Sequence, residues 1–158
     1  MFKLTSLNLN GIRSATSKGL EAWLGQARPD CICVQEVKAQ ASDVAGKFEA
    51  LAGLKGYFHF AEKKGYSGVG AYTPTEPSDV VVGFGSPEFD AEGRYLELRF
   101  DTPARKMSVI SCYFPSGSSG RKPEFFWLPR QFFRSISLCA IFTSPHRMTS
   151  RFFLSCMR

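Results

Sequence analysis

Apolar and polar positions along the 158-residue chain change period several times, and each change predicts an element. Phe-Lys-Leu-Thr-Ser-Leu-Asn-Leu over residues 2–9 reads as a first strand, stopped by Asn10-Gly11. Leu20, Trp23, Leu24 and Ala27 then recur at i, i+3, i+4 and i+7, one face of a helix. Thr16 or Ser17 is placed to cap that helix, and Arg28-Pro29-Asp30 ends it. The run Cys31-Ile-Cys-Val34 follows, short and apolar enough for a strand buried on both faces, and it stops abruptly at Gln35-Glu36. A second helix is expected to open near Ser42, with Val44, Phe48 and Leu51 on one face, and to close by Gly53 or Gly56. Short β runs divided by Gly and Pro come next, over residues 57–61, 68–73, 80–84, 95–100 and 107–114. Strands separated by helices, then a series of strands, predict a mixed α/β sheet with helices on one side.

The pattern weakens after Ser116-Gly-Ser-Ser-Gly120, and composition marks the same point. Residues 1–120 hold thirteen basic and thirteen acidic side chains, whereas residues 121–158 hold seven basic ones and a single acid, Glu124. The whole net charge of +6 therefore belongs to the last 38 residues. All 14 glycines precede residue 121, and seven of the 15 phenylalanines follow it. The chain divides on this reading into residues 1–120, which hold the fold, and a Phe/Arg-rich tail, residues 121–158, of unrelated and uncertain structure. The tail is expected either to come from a shifted reading frame or fusion, or to be a basic–aromatic segment for nucleic acid or membrane surfaces.

Five cysteines, none in a Cys-x-x-Cys or zinc-type spacing, predict reduced thiols and a cytoplasmic location. The polar N-terminus and the absence of a long apolar run predict neither a signal peptide nor a membrane span.

Candidate chemistry sits where the first two strands end. Asn8 and Asn10 project the same way past Leu9, and Glu36 closes the apolar run. If the two strands run parallel, an amide oxygen and a carboxylate meet at one sheet edge. That donor set suits Mg²⁺, which keeps several waters and is completed by substrate phosphate.

Five blocks then appear in order: Ser6-Leu-Asn-Leu-Asn-Gly-Ile-Arg-Ser14, Cys33-Val-Gln-Glu-Val-Lys38, Lys64-Gly-Tyr-Ser-Gly-Val69, Phe89-Asp-Ala-Glu-Gly-Arg94 and Cys112-Tyr-Phe-Pro-Ser-Gly117. Together they resemble the N-terminal half of the exodeoxyribonuclease III type within the endonuclease/exonuclease/phosphatase family. The resemblance ends at Gly120. It implies the first half of a four-layer α/β sandwich, one mixed β-sheet with flanking helices, whose inner face has lost its partner sheet. It also implies a Mg²⁺-dependent hydrolase, with Mn²⁺ as the alternative ion, that acts on double-stranded DNA at abasic sites or 3′ ends and works as a monomer away from membranes.

Residue by residue, the resemblance makes Asn8 and Glu36 metal ligands and aims Tyr113 at the scissile phosphate. It lays Asn10, Lys38, Tyr66 and Arg94 along the DNA. The family's general base lies in Gly-Asp-x-Asn, and its His–Asp pair in Ser-Asp-His. Neither motif occurs here: no Gly-Asp is present, no Asp follows Asp101, and the downstream His146 has no acid beside it. His59 is expected to serve packing or the surface. The chain as given is therefore expected to be inactive alone. The alternative is a non-catalytic fragment that binds nucleic acid weakly through its basic tail.

Overall fold

The computed structural model describes residues 2–115 and 135–144. In chain order the elements are β1 (Leu4–Asn8), α1 (Ile12–Ser17), α2 (Leu20–Ala27), β2 (Cys31–Gln35), α3 (Ala41–Val44), β3 (Ala50–Leu51), β4 (Leu54–His59), β5 (Val69–Thr73), β6 (Asp79–Val82), α4 (Pro87–Asp90), β7 (Tyr95–Arg99), β8 (Lys106–Pro115) and β9 (Ser135–Ser144). The strands form two sheets, one ordered β1-β2-β5-β4-β3 and one ordered β6-β7-β8-β9. β1 and β2 run parallel, with Leu4 opposite Cys31 and Asn8 opposite Gln35. The other pairings are antiparallel.

The expectation of one sheet with a bare inner face is corrected here. The strands from residue 79 onward do not extend the first sheet. They pair among themselves, and the second sheet stacks on the first, with β8 over β2, β7 and β8 over β5, and β9 beside β1. The α/β sandwich itself stands as expected. The reason lies in the alternation of each strand. Cys31, Cys33, Val69 and Ala71 face Leu96, Leu98, Val109 and Tyr113 between the sheets. Ile32, Val34 and Tyr72 face the other way and pack with Ile12, Leu20, Leu24 and Val44 of the helical layer. β2 is buried along its whole length, because each of its faces has a partner. Its two cysteines and Cys112 are buried thiols that fill space and form no disulfide among the described residues, and burial pushes the Cys112 thiol up to about 12.

Three local readings also change. Thr16 and Ser17 cap nothing: their hydroxyls donate back to the Ile12 and Ser14 carbonyls, and Gly19 occupies the N-cap of α2. The second helix is one turn long. Gly46, at φ +67°, breaks it, so Val44 stays on the helix while Leu51 enters β3. A strand runs over Ser135–Ser144, paired with β8 from Pro115–Ser135 to Lys106–Ser144, where no element was expected. The tail residues 121–134 and 145–158, His146 among them, lie outside the described residues.

Candidate active site

The parallel pairing of β1 and β2 places their C-terminal ends at one sheet edge, and the loops beyond are stitched together by backbone bonds. Leu9 N donates to Gln35 O (2.8 Å), Gly11 N to Glu36 O (2.8 Å) and Ile12 N to Val37 O (2.9 Å). On the other side Val37 N donates to Gly68 O (3.0 Å) and Lys38 N to Ser67 O (2.9 Å). Asn10, Glu36, Lys38 and Ser67 all adopt left-handed backbone, at φ +46°, +52°, +50° and +43°. Non-glycine residues held there store strain, which accumulates where a fold over-determines its geometry. Four of the six non-glycine residues with left-handed backbone among the described residues lie in these three touching loops.

The side chains converge. Asn8 Nδ2 donates to Glu36 Oε1 (2.8 Å), while Asn8 Oδ1 accepts from Asn10 N (3.0 Å). Lys38 Nζ lies 2.8 Å from Glu36 Oε2 and 2.5 Å from Asn10 Oδ1. The Tyr113 hydroxyl, from the opposing sheet, also hydrogen-bonds to the Glu36 carboxylate. Burial pushes that carboxyl up, but the bonds from Asn8, Lys38 and Tyr113 and the Lys38 charge outweigh it and hold Glu36 below its ordinary value. The Glu36 side chain is 16% exposed and that of Lys38 33%, so the charge faces a mouth open to water.

Behind this group lies a second one. Arg94 is 7% exposed, and its guanidinium pairs with Glu92 through Nε. It donates to Tyr66 Oη (3.0 Å) and to Tyr113 O (3.4 Å). The same guanidinium stacks on both tyrosine rings, 5.9 Å from the Tyr66 centroid and 5.6 Å from that of Tyr113. The Lys63 ammonium also lies over the Tyr66 ring, 5.4 Å from its centroid. His59 is buried and bonds the Tyr95 carbonyl through Nδ1 (2.8 Å), a packing role.

The structure therefore brings Asn8, Asn10, Glu36, Lys38 and Tyr113 into one hydrogen-bonded cluster, with Tyr66 and Arg94 joined to it through the tyrosine pair. Glu92 and Ser67 were missed. Both lie inside the five sequence blocks, Glu92 two residues before the arginine it pairs with. Sequence spacing gave no sign that Ser67 would close the loop around Lys38.

As donors for a hard cation, Glu36 fits: it is an ionised oxygen ligand at an open mouth. Asn8 fits once its amide turns, because here its NH₂ faces Glu36 and its oxygen is committed to Asn10. Lys38 sets its ammonium beside the Glu36 carboxylate. Among the described residues no three His, Cys, Asp or Glu cluster as a ready-made metal site, so an ion here would rest on few protein ligands, water and substrate oxygen.

Comparison with known proteins bears on the family of the chain. A sequence profile of the Endonuclease/Exonuclease/phosphatase family matches residues 5–140, past the point where the five blocks end. The chain is 35% identical over 119 residues to the exodeoxyribonuclease of Bacillus subtilis, covering 75% of this chain and 44% of that protein. It is 36% identical over 119 residues to exodeoxyribonuclease III of Haemophilus influenzae, covering 74% and 43%. It is 30% identical over 117 residues to the DNA-(apurinic or apyrimidinic site) endonuclease of Dictyostelium discoideum, covering 74% and 31%. Among solved structures, an AP endonuclease from Archaeoglobus fulgidus superposes with a TM-score of 0.55 at 30% identity, over 63% of this chain and 37% of that one. The chain spans less than half the length of each of these relatives.

Proposed function

The chain belongs to the Endonuclease/Exonuclease/phosphatase family, and from that premise we propose that its sheet edge is the cation- and phosphate-binding half of a DNA phosphodiesterase site. The substrate class is duplex DNA carrying an abasic site or a 3′ end. One observation carries the reading: Glu36 is ionised at an open mouth while Asn8 from the neighbouring strand and the Tyr113 hydroxyl from the opposing sheet both bond to it.

Each residue has a role on this proposal. Glu36 and Asn8 would hold the cation, Mg²⁺ or Mn²⁺. When bound, such an ion offsets charge on phosphate oxygens and lowers the pKa of a coordinated water. Tyr113 donates its hydroxyl to a phosphate oxygen, a contact that strengthens as negative charge develops. Lys38 would offer its charge to a DNA phosphate, while Asn10 and Tyr66, with Arg94 behind, line the path of the backbone. The sequence holds no Gly-Asp-x-Asn and no Ser-Asp-His, so nothing in it supplies the general base of the resembled type.

The test is a nicking assay on an abasic duplex with Mg²⁺. The chain as given should give no cleavage. The chain continued after Pro115 with the second half of the Bacillus subtilis relative should cleave, and Glu36→Gln should abolish that. A folded, inactive chimera, or cleavage that survives Glu36→Gln, would contradict the proposal.

A second reading, a non-catalytic fragment that binds nucleic acid through its basic tail, is favoured by the concentration of the +6 charge after residue 120. It predicts binding that is indifferent to Mg²⁺ and to residue 36.

A further inference from the structure

The inner faces of β1, β2 and β8 share a gradient. They begin apolar, at Leu4, Cys31 and Val109, and end in the site, at Asn8, beside Glu36, and at Tyr113. One step beneath the site each strand places a polar side chain: Ser6, Gln35 and Ser111. Gln35 is fully buried and Ser111 is 1% exposed. Gln35 Nε2 donates to Ser6 Oγ (3.2 Å) and to Ser111 Oγ (3.4 Å), and Ser6 Oγ lies 3.4 Å from Gln35 Oε1. Ser111 Oγ donates in turn to Val34 O (3.4 Å).

A buried amide is an expensive way to fill space, because every donor and acceptor left unmade costs about 1–3 kcal/mol. Leucine or methionine would fill the same volume without that liability. What an apolar residue lacks is direction. Backbone ladders fix β1 against β2, but β8 belongs to the other sheet, and apolar contact between sheets resists sliding only weakly because it is non-directional. The Gln35 amide touches all three strands at once. It lies one residue from Glu36, while Ser6 and Ser111 lie two residues, one pleat repeat, from Asn8 and Tyr113.

We propose that Gln35, with Ser6 and Ser111, is a positioning network that holds Tyr113 of one sheet in register with Asn8 and Glu36 of the other. This role rests on the reading of the site given above. The network touches neither substrate nor ion and acts only through the three residues at the edge, as supporting hydrogen bonds do around ligand side chains.

The test uses the whole chain labelled with 3-fluorotyrosine, its Tyr113 ¹⁹F signal assigned by Tyr113→Phe. Gln35→Leu takes a partner from the half-buried Ser6 hydroxyl and leaves the buried Ser111 hydroxyl only its bond to Val34 O, and should lower the denaturation midpoint. The triple variant Ser6→Ala/Gln35→Leu/Ser111→Ala leaves no orphaned polar group and should regain most of that loss. Positioning should not be regained. In both variants the Tyr113 signal should shift or broaden, and the Mn²⁺ concentration that half-broadens it should rise by about 10-fold or more, the usual effect of removing second-layer support. Ser111→Ala, which removes one hydroxyl and little volume, should move the same two readouts the same way, so the test survives if the larger variants fail to fold. A folded triple variant with the wild-type Tyr113 signal and Mn²⁺ midpoint would overturn the proposal. If Mn²⁺ leaves even the wild-type Tyr113 signal untouched, the cation reading of the site fails instead. The network is then decided by whether the variants move the signal.

Discussion

Glu36 shows at the scale of one residue how a carboxylate is kept ionised at the rim of a core. Burial disfavours its charge, and three donors from three different segments reverse that, leaving its folded value below the ordinary 4.5. The sign follows. A depressed carboxyl stabilises the fold above its unfolded value, and the contribution is lost as pH falls through the folded value. Wild type should therefore unfold at higher denaturant than Glu36→Gln at pH 7, and the gap should close as the pH drops below about 4. Equal gaps at pH 7 and pH 3 would mean that the hydrogen bonds on Glu36 are not made in solution. On the proposed function Tyr113 has the complementary role. In a cleavage-competent extended chain, Tyr113→Phe should lower turnover by about 10²-fold, the typical effect of losing one charge-stabilising donor, while abasic-duplex affinity changes far less. An equal loss in both would make Tyr113 a ground-state contact.

At the scale of elements, what could be read from the sequence depended on whether a segment's period was set locally. The apolar runs of β2 and α2, and the turn glycines between the later strands, announce themselves because neighbours in sequence are neighbours in the element. The apparent helix beyond Ser42 failed because Val44, Phe48 and Leu51 reach the core from a one-turn helix, a turn and a two-residue strand, which spacing alone cannot tell from one helix face. Strand β9 was missed because Phe- and Arg-rich surroundings hid its Ser-Ile-Ser-Leu alternation. The site was legible where strand ends carried unusual residues, Asn8 and Glu36. The arrival of Tyr113 depended on one sheet stacking over another, which no local period encodes. Gly93 connects these levels. It sits at φ +62° immediately before Arg94, and a Cβ there would lie 2.5 Å from the Ala61 backbone nitrogen. Gly93→Ala should cost about 2 kcal/mol or more by denaturant unfolding, whereas Gly19→Ala, at φ +95° with open space around it, should cost about 1 kcal/mol from backbone strain alone. Equal costs would mean that the Gly93 loop does not pack against Phe60–Ala61.

At the scale of the whole molecule, two sheets rather than one give these residues a core of their own. Leu96 and Leu98 are fully buried between the sheets, and Leu98→Ala should destabilise by about 2–5 kcal/mol in thermal or denaturant unfolding. A much smaller loss would mean the sheets do not pack on each other. Charge is organised on the same scale: balanced up to residue 120, strongly positive after it. Nucleic-acid affinity, on the proposed function, would have two sources to distinguish, a localised site and a diffuse basic segment. The most direct measurement is the equilibrium affinity of the chain as given for an abasic duplex, with and without Mg²⁺, for wild type and Glu36→Gln. The account predicts that Mg²⁺ tightens wild-type binding and leaves Glu36→Gln unchanged. Binding that ignores both Mg²⁺ and residue 36 would contradict it and assign the affinity to the basic segment.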